Sequence, residues 1–118
     1  MTLIKMIEPD KWPAFLADFS ERNRGRRARF EIFERTGDFV EEAQEGHFQN
    51  ISIDGHAVSV ERTYEKHGRE ETMTDKFENV RGISIQYDTD NSEDMLELSD
   101  AKGNLTALHF ESKVDGSS

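Results

Sequence analysis

The sequence predicts a single α+β domain in which one amphipathic helix precedes a long antiparallel β-sheet. Three observations lead to this prediction. Apolar residues near the N-terminus follow helical spacing, the apolar residues after position 26 alternate with polar ones, and short turn signals separate the alternating segments. The chain has 118 residues, which is close to the commonest domain size, so one hydrophobic core is expected.

The helix is predicted over about residues 10–23. Its apolar residues follow the i, i+3, i+4, i+7 spacing of a single stripe, and they are Trp12, Phe15, Leu16 and Phe19. Asp10 is expected to be the N-cap, and Pro13 falls in the first turn, where its missing N–H is not needed. Gly25 is expected just beyond the C-terminus, where a left-handed residue often ends a helix. Trp12 is predicted to anchor the helix to the sheet.

About seven to eight strands are predicted after the helix. The first strand has one apolar face, made of Ala28, Phe30 and Ile32, and a later strand places Val58, Val60, Arg62 and Tyr64 on one face. Turn signals occur at residues 36–38, 54–55, 66–68 and 100–103. Because these connections are short, the sheet is expected to be an antiparallel meander.

So many strands are expected to curve strongly or to close partly into a barrel, with the helix covering one end or face. The predicted domain spans residues 1–113, and a frayed tail is predicted at 114–118. The chain has no cysteine, which excludes thiol chemistry and favours a reducing cytoplasm. No signal peptide or membrane-spanning stretch is evident, since Lys5 interrupts the short apolar run at the N-terminus.

Charge is divided unevenly along this acidic chain, whose net charge is −10. Residues 1–35 contain eight basic and six acidic side chains, a balance of +2, whereas residues 36–118 contain seven basic and nineteen acidic side chains, a balance of −12. The overall charge opposes binding to nucleic acids and anionic membranes. The division instead suits a second copy of the chain or an acidic protein partner.

A basic patch is predicted as the binding site, because guanidinium groups offer forked donors to phosphates and carboxylates. It consists of Arg24, Arg26, Arg27 and Arg29, and Arg22 lies just before it. The alternative interpretation is that these arginines complement the helix dipole and face acidic neighbours across the sheet, where exposed ion pairs contribute only about 0–1 kcal/mol each.

No catalytic residue, metal ligand or cofactor site is predicted. The acidic stretch at residues 88–94 has oxygen ligands at alternating positions, but a calcium loop would need Gly where Glu93 stands and Glu where Ser99 stands. The four histidines lack metal-binding spacing, and His109 is interpreted as a packed or edge residue beside Leu105 and Ala107. Adjacent glutamates on a strand point to opposite faces, which is the wrong geometry for an acid–base pair.

Three function classes remain open. The sequence favours a non-enzymatic binding or interaction module. A carrier that holds a small molecule in a barrel-like pocket is the alternative. An enzyme with carboxylates brought together from distant positions is the third class.

Three stretches also resemble a known family. They are residues 10–20 with Trp12 and Ser20 on the helix, residues 25–32 with Gly25 and Ala28 at the start of the first strand, and the closing hairpin at 96–110. Their order and spacing are similar to a bacterial domain of unknown function, the family numbered 5335, although residues 36–80 match it poorly. The resemblance implies a small bacterial cytoplasmic protein and no particular chemistry.

Overall fold

A computed structural model describes residues 3–41 and 46–111. A short 3-10 turn (Pro9–Lys11) leads into helix α1 (Trp12–Asn23). The strands are β1 (Leu3–Ile7), β2 (Arg27–Phe33), β3 (Phe39–Glu41), β4 (Gly46–Asp54), β5 (Ala57–Lys66), β6 (Arg69–Phe77), β7 (Val80–Tyr87), β8 (Glu93–Asp100) and β9 (Leu105–Phe110). The predicted tail at 114–118 lies outside the described residues.

All pairs of neighbouring strands are antiparallel, in the order β1-β7-β8-β9-β2-β4-β5-β6, with β3 also against β2. The predicted α+β class is confirmed. The predicted meander is wrong in its connectivity, because β9 returns to pair with β2 and β1 pairs with β7. The expectation of partial closure into a barrel is also wrong. The described sheet is open, because β1 and β6 lie at its two ends and do not pair with each other.

The predicted strand count is too low because β1 was missed. The sequence of β1, Leu-Ile-Lys-Met-Ile, does not alternate between apolar and polar residues, and only Ile7 of the strand is buried. The strand forms through pairing with β7, from Leu3 opposite Tyr87 to Ile7 opposite Ile83. A strand whose own sequence lacks alternation cannot be detected from local periodicity.

Helix α1 begins slightly later than predicted and without the predicted cap. Asp10 lies in the 3-10 turn, and no side chain caps either helical segment. The Lys11 N–H already donates to the Glu8 carbonyl at 2.9 Å, so the chain turns before α1 begins and Asp10 is not at the capping position. The predictions for Pro13 in the first turn and for Gly25 after the helix are confirmed, and Gly25 has a φ of +92°.

The core lies between α1 and the inner face of the sheet, which we define as the face that bears Ile83, Leu96 and Leu108. The predicted helix stripe supplies buried Trp12, Leu16 and Phe19, with Phe15 half-buried beside them. The Phe19 ring centroid lies 5.5 Å from that of Phe48 on β4 and 5.6 Å from that of Phe110 on β9. These aromatic contacts join α1 to strands that are distant in sequence.

No helix within the described ranges is long and apolar enough to cross a membrane.

Candidate functional site

The four arginines of the predicted basic patch do not share one surface. Arg27 and Arg29 project from the outer face of the sheet, opposite the core. Arg26 lies on the other side, with its guanidinium carbon 4.5 Å from the centroid of the Phe110 ring. Arg24 follows α1 and donates from Nε to the Gln49 carbonyl at 2.9 Å. The structure therefore brings Arg27 and Arg29 together and separates Arg26 from them.

Acidic groups lie beside both outer-face arginines. Arg27 Nη1 is 3.6 Å from a carboxylate oxygen of Glu111, and Arg29 Nη2 is 3.3 Å from Glu41 and 3.8 Å from Glu31. These contacts agree with the interpretation that the arginines face acidic neighbours across the sheet. A role for the basic patch in binding stays a prediction.

A second polar cluster surrounds Glu93, at the start of β8. Arg22 donates from Nε and Nη2 to the two carboxylate oxygens of Glu93, each at 2.8 Å, and Asn23 donates to the same carboxylate at 2.9 Å. Arg26 donates to the Glu93 main-chain carbonyl at 2.6 Å. Glu93 is only 7% exposed, and these contacts fasten the C-terminal end of α1 to the start of β8.

Burial and pairing act in opposite directions on the pKa of Glu93. Burial raises this pKa, but the hydrogen bonds from Arg22 and Asn23 and the charges of Arg22 and Arg26 outweigh burial and hold it below its ordinary value. The same hydrogen bond raises the pKa of Arg22. Burial lowers the pKa of Arg26.

We expect Glu93→Gln to lower the free energy of unfolding by about 1–3 kcal/mol near neutral pH, because it removes the charge that pairs with Arg22. The folded-state pKa of Glu93 lies below the ordinary value of 4.5, so its stabilisation is complete above that pH and is lost as pH falls through the folded-state pKa. The variant should therefore lose less stability than the wild type on acidification. Urea unfolding at neutral and acidic pH measures both effects.

Glu70→Gln on the exposed strand β6 is the matched control, since it removes a carboxylate that is far from α1. It should retain the wild-type dependence of stability on pH. The prediction fails if acidification weakens Glu93→Gln and the wild type equally.

A third cluster lies on the outer face, where His109 sits between two carboxylates. Its Nδ1 is 3.3 Å from Glu31 Oε2, and its Nε2 is 3.5 Å from Asp94 Oδ1. Glu31 is largely buried although its strand position faces outward. The ring is held between β2 and β8, which fits the interpretation of His109 as a packed residue. Among the residues that the structure describes, no group of three or more histidine, aspartate or glutamate side chains is arranged to hold a metal ion.

Two clefts lie on either side of Phe15 on α1. The first, which we call the β1 groove, has a volume of about 350 Å³ and is lined by Lys5, Met6, Glu8, Lys11, Ala14 and Phe15. The second, which we call the Arg22 cleft, has a volume of about 590 Å³ and is lined by Phe15, Arg22, Tyr87, Asn91, Ser92 and Glu93. Neither cleft was predicted from the sequence: the β1 groove depends on a strand that was missed, and the Arg22 cleft joins α1 to strands that lie far along the chain.

Strand β1 carries most of the exposed apolar surface near these clefts. Leu3 is 61% exposed, Ile4 59% and Met6 70%. Ile4 and Met6 lie on the outer face, because they are opposite Gln86 and Ser84 of β7. The other side of β1 has no neighbouring strand among the described residues. The groove and the unpaired edge are therefore adjacent.

Comparison of the chain with models of protein families, with curated proteins and with solved structures found no match.

Proposed function

We propose that the protein is an interaction module that binds an extended, acidic segment of a partner protein along the edge of β1. The observation that carries this proposal is the unpaired β1 edge with its exposed Leu3, Ile4 and Met6. An edge strand offers free main-chain donors and acceptors, and an added strand satisfies them while its side chains contact the neighbouring surface. We also propose that the protein acts in the cytoplasm and belongs to the family that its sequence resembles.

The two ends of the sheet differ in a way that favours β1. Strand β6, at the other end, exposes Glu70, Glu71 and Lys76 together with other polar residues. Charged residues on an edge strand discourage pairing with another strand. Strand β1 has one charged residue, Lys5, among its five residues. Pairing with a partner is therefore more favourable at β1 than at β6.

The charges around β1 favour an acidic partner. The β1 groove contains two lysines, Lys5 and Lys11, and one glutamate, Glu8, whereas the whole chain has a net charge of −10. A second copy whose β1 paired in the register centred on Lys5 would place two lysines directly opposite each other, which is unfavourable. A partner strand that alternates apolar residues with carboxylates satisfies both the apolar edge and the lysines.

A carrier with a barrel-like interior is disfavoured, because the described sheet is open and its inner-face side chains pack against one another and against α1.

The test uses a short acetylated and amidated peptide of alternating valine and glutamate, with a valine–lysine peptide of equal length as its counterpart. We expect the glutamate peptide to bind about tenfold more tightly, a difference of about 1.4 kcal/mol, and to shift the amide resonances of β1. Lys5→Glu with Lys11→Glu should reverse this preference. Fluorescence anisotropy of labelled peptides measures the affinities, and added salt should weaken binding.

Ile4→Asn with Met6→Asn removes the apolar contacts without adding charge, so it should weaken binding of the glutamate peptide by about tenfold while changing stability by only about 0.5 kcal/mol, because both side chains are exposed. Thr72→Asn with Thr74→Asn, which places the same residues at exposed positions of β6, is the matched control and should bind normally. Equal affinity for the two peptides contradicts the proposal. So does a dimer in sedimentation that the β1 substitutions dissociate, because a second copy would then be the occupant.

A further inference from the structure

The Arg22 cleft has features that are explained neither by the stabilising contacts around Glu93 nor by the proposed binding of a partner at β1. We propose that it binds a small neutral molecule that carries a flat apolar ring and a carboxamide group. Its volume of about 590 Å³ lies in the range of small-molecule sites, and it combines two aromatic side chains with several polar groups.

Arg22 provides a fixed donor in this cleft. Glu93 occupies its Nε and Nη2, so the guanidinium cannot rotate without breaking two hydrogen bonds of 2.8 Å. Asn23 holds the same carboxylate from a second direction. The remaining nitrogen, Nη1, has no hydrogen bond to any residue in the ranges 3–41 and 46–111. A carbonyl oxygen of a ligand can accept from it without any rearrangement of the protein.

Two aromatic side chains form the apolar part of the cleft. Phe15 projects from α1, and Tyr87 ends β7; both are half-buried and pack against the core. The Arg22 guanidinium carbon lies 5.7 Å from the centroid of the Phe15 ring, so the donor and the apolar surface are adjacent. A flat ring can contact these aromatic groups while its substituent reaches Arg22.

Two further polar groups in the cleft are without partners in the described part of the chain, namely the Tyr87 hydroxyl and the Asn91 carboxamide. Asn91 has a φ of +70°, a left-handed conformation that asparagine tolerates, and its main-chain N–H donates to the Asp88 carbonyl at 3.0 Å. The turn therefore fixes the main chain of Asn91 and leaves its side chain for a ligand. A carboxamide is both donor and acceptor, so it can pair with either group and with Arg22.

The surrounding charges argue against an anionic ligand. Arg22 is neutralised by Glu93, and Arg26 experiences the charges of Asp88, Asp90 and Asp94. Acidic groups thus outnumber basic ones at this end of the molecule. A cationic substituent offers no acceptor to Arg22, and an anion is repelled by the aspartates, so a neutral ligand suits both features.

The test compares three probes that share a ring and differ in the charge of one substituent: benzamide, benzoate and benzamidinium. With isotope-labelled full-length protein, we expect benzamide to shift the amide resonances of Tyr87, Asn91 and Ser92 in a saturable titration. Benzoate and benzamidinium should bind more weakly. Each hydrogen bond to the probe contributes a factor of about three to ten in affinity.

Substitution of Arg22 would also break its hydrogen bonds to Glu93 and so disturb the fold. The other groups that line the cleft are therefore removed one at a time. Tyr87→Phe removes one hydroxyl, and Asn91→Gly removes one carboxamide at a φ that glycine adopts freely. Each should weaken benzamide binding by about three- to tenfold. The control Tyr64→Phe removes a hydroxyl that bonds to Glu71 on β6, and it should leave binding unchanged.

Absence of a saturable shift with benzamide overturns the proposal, and so does tighter binding of benzoate or benzamidinium than of benzamide. Unchanged binding in both Tyr87→Phe and Asn91→Gly also overturns it. Ile4→Asn with Met6→Asn should bind benzamide normally, so this result is independent of the outcome for the β1 edge.

Discussion

Replacing Trp12 with alanine is expected to lower the free energy of unfolding by about 3–5 kcal/mol, a large part of the roughly 5–15 kcal/mol that stabilises a typical domain. Trp12 is only 4% exposed, and its indole N–H donates to the Ile7 carbonyl at 2.9 Å. The substitution therefore removes a buried ring and also the hydrogen bond that ties α1 to the end of β1. Urea unfolding monitored by circular dichroism measures the loss.

Two further variants separate these contributions. Trp12→Phe keeps most of the buried ring but loses the indole N–H, so we expect it to cost about 1–3 kcal/mol through the unsatisfied Ile7 carbonyl. Lys11→Ala changes an exposed neighbour in the same turn and should stay within about 0.5 kcal/mol of the wild type. An unchanged melting temperature in Trp12→Ala would rule out the anchoring role.

Arg62→Ala is expected to have an effect of similar size, about 3–5 kcal/mol, because it leaves a cavity in place of a fully buried side chain and leaves the Ala28 carbonyl without its donor. Arg62 is fully buried on the inner face of β5. Its Nη1 donates to the Ala28 carbonyl at 3.2 Å, and its Nη2 lies 3.3 Å from Asp75 on β6. The guanidinium carbon is 4.4 Å from the centroid of the Phe30 ring. Arg62 thus connects three strands.

Arg62→Met distinguishes the charge of this residue from its volume. Methionine fills most of the space and can still contact Phe30, and the Asp75 carboxylate that loses its partner is 39% exposed and so remains hydrated. We expect Arg62→Met to be clearly more stable than Arg62→Ala in the same unfolding assay. Equal losses in the two variants would show that the charge and its hydrogen bonds, rather than packing, account for the stabilisation.

The candidate sites depend on contacts that the sequence does not reveal. Arg22 and Glu93 are separated by 71 positions, and no spacing rule relates them. The exposed edge of β1 becomes evident only when β7 is placed beside it. The sequence pattern did identify the arginines near β2, but only the structure shows which of them share a surface and which acidic groups lie beside them.

Local geometry determined the elements that the sequence predicts correctly. The stripe from Trp12 to Phe19 specifies a helix because residues three and four apart share a helical face, and Gly25 ends it in a conformation that costs other residues more. Alternation and turn residues likewise specify the hairpin of β4 and β5 at Gly55. These signals act between near neighbours in the chain.

Only the tertiary structure decided the order of the strands, the open ends of the sheet and the burial of Arg62. The alternation in β5 placed Arg62 on the same face as Val58 and Val60, yet it did not show that Ala28, Phe30 and Asp75 surround this charge. Similarly, β1 has little pattern of its own and exists as a strand because β7 offers a complementary edge. Periodicity records which face of an element is buried, whereas the choice of partner depends on contacts summed over segments that are far apart in the chain.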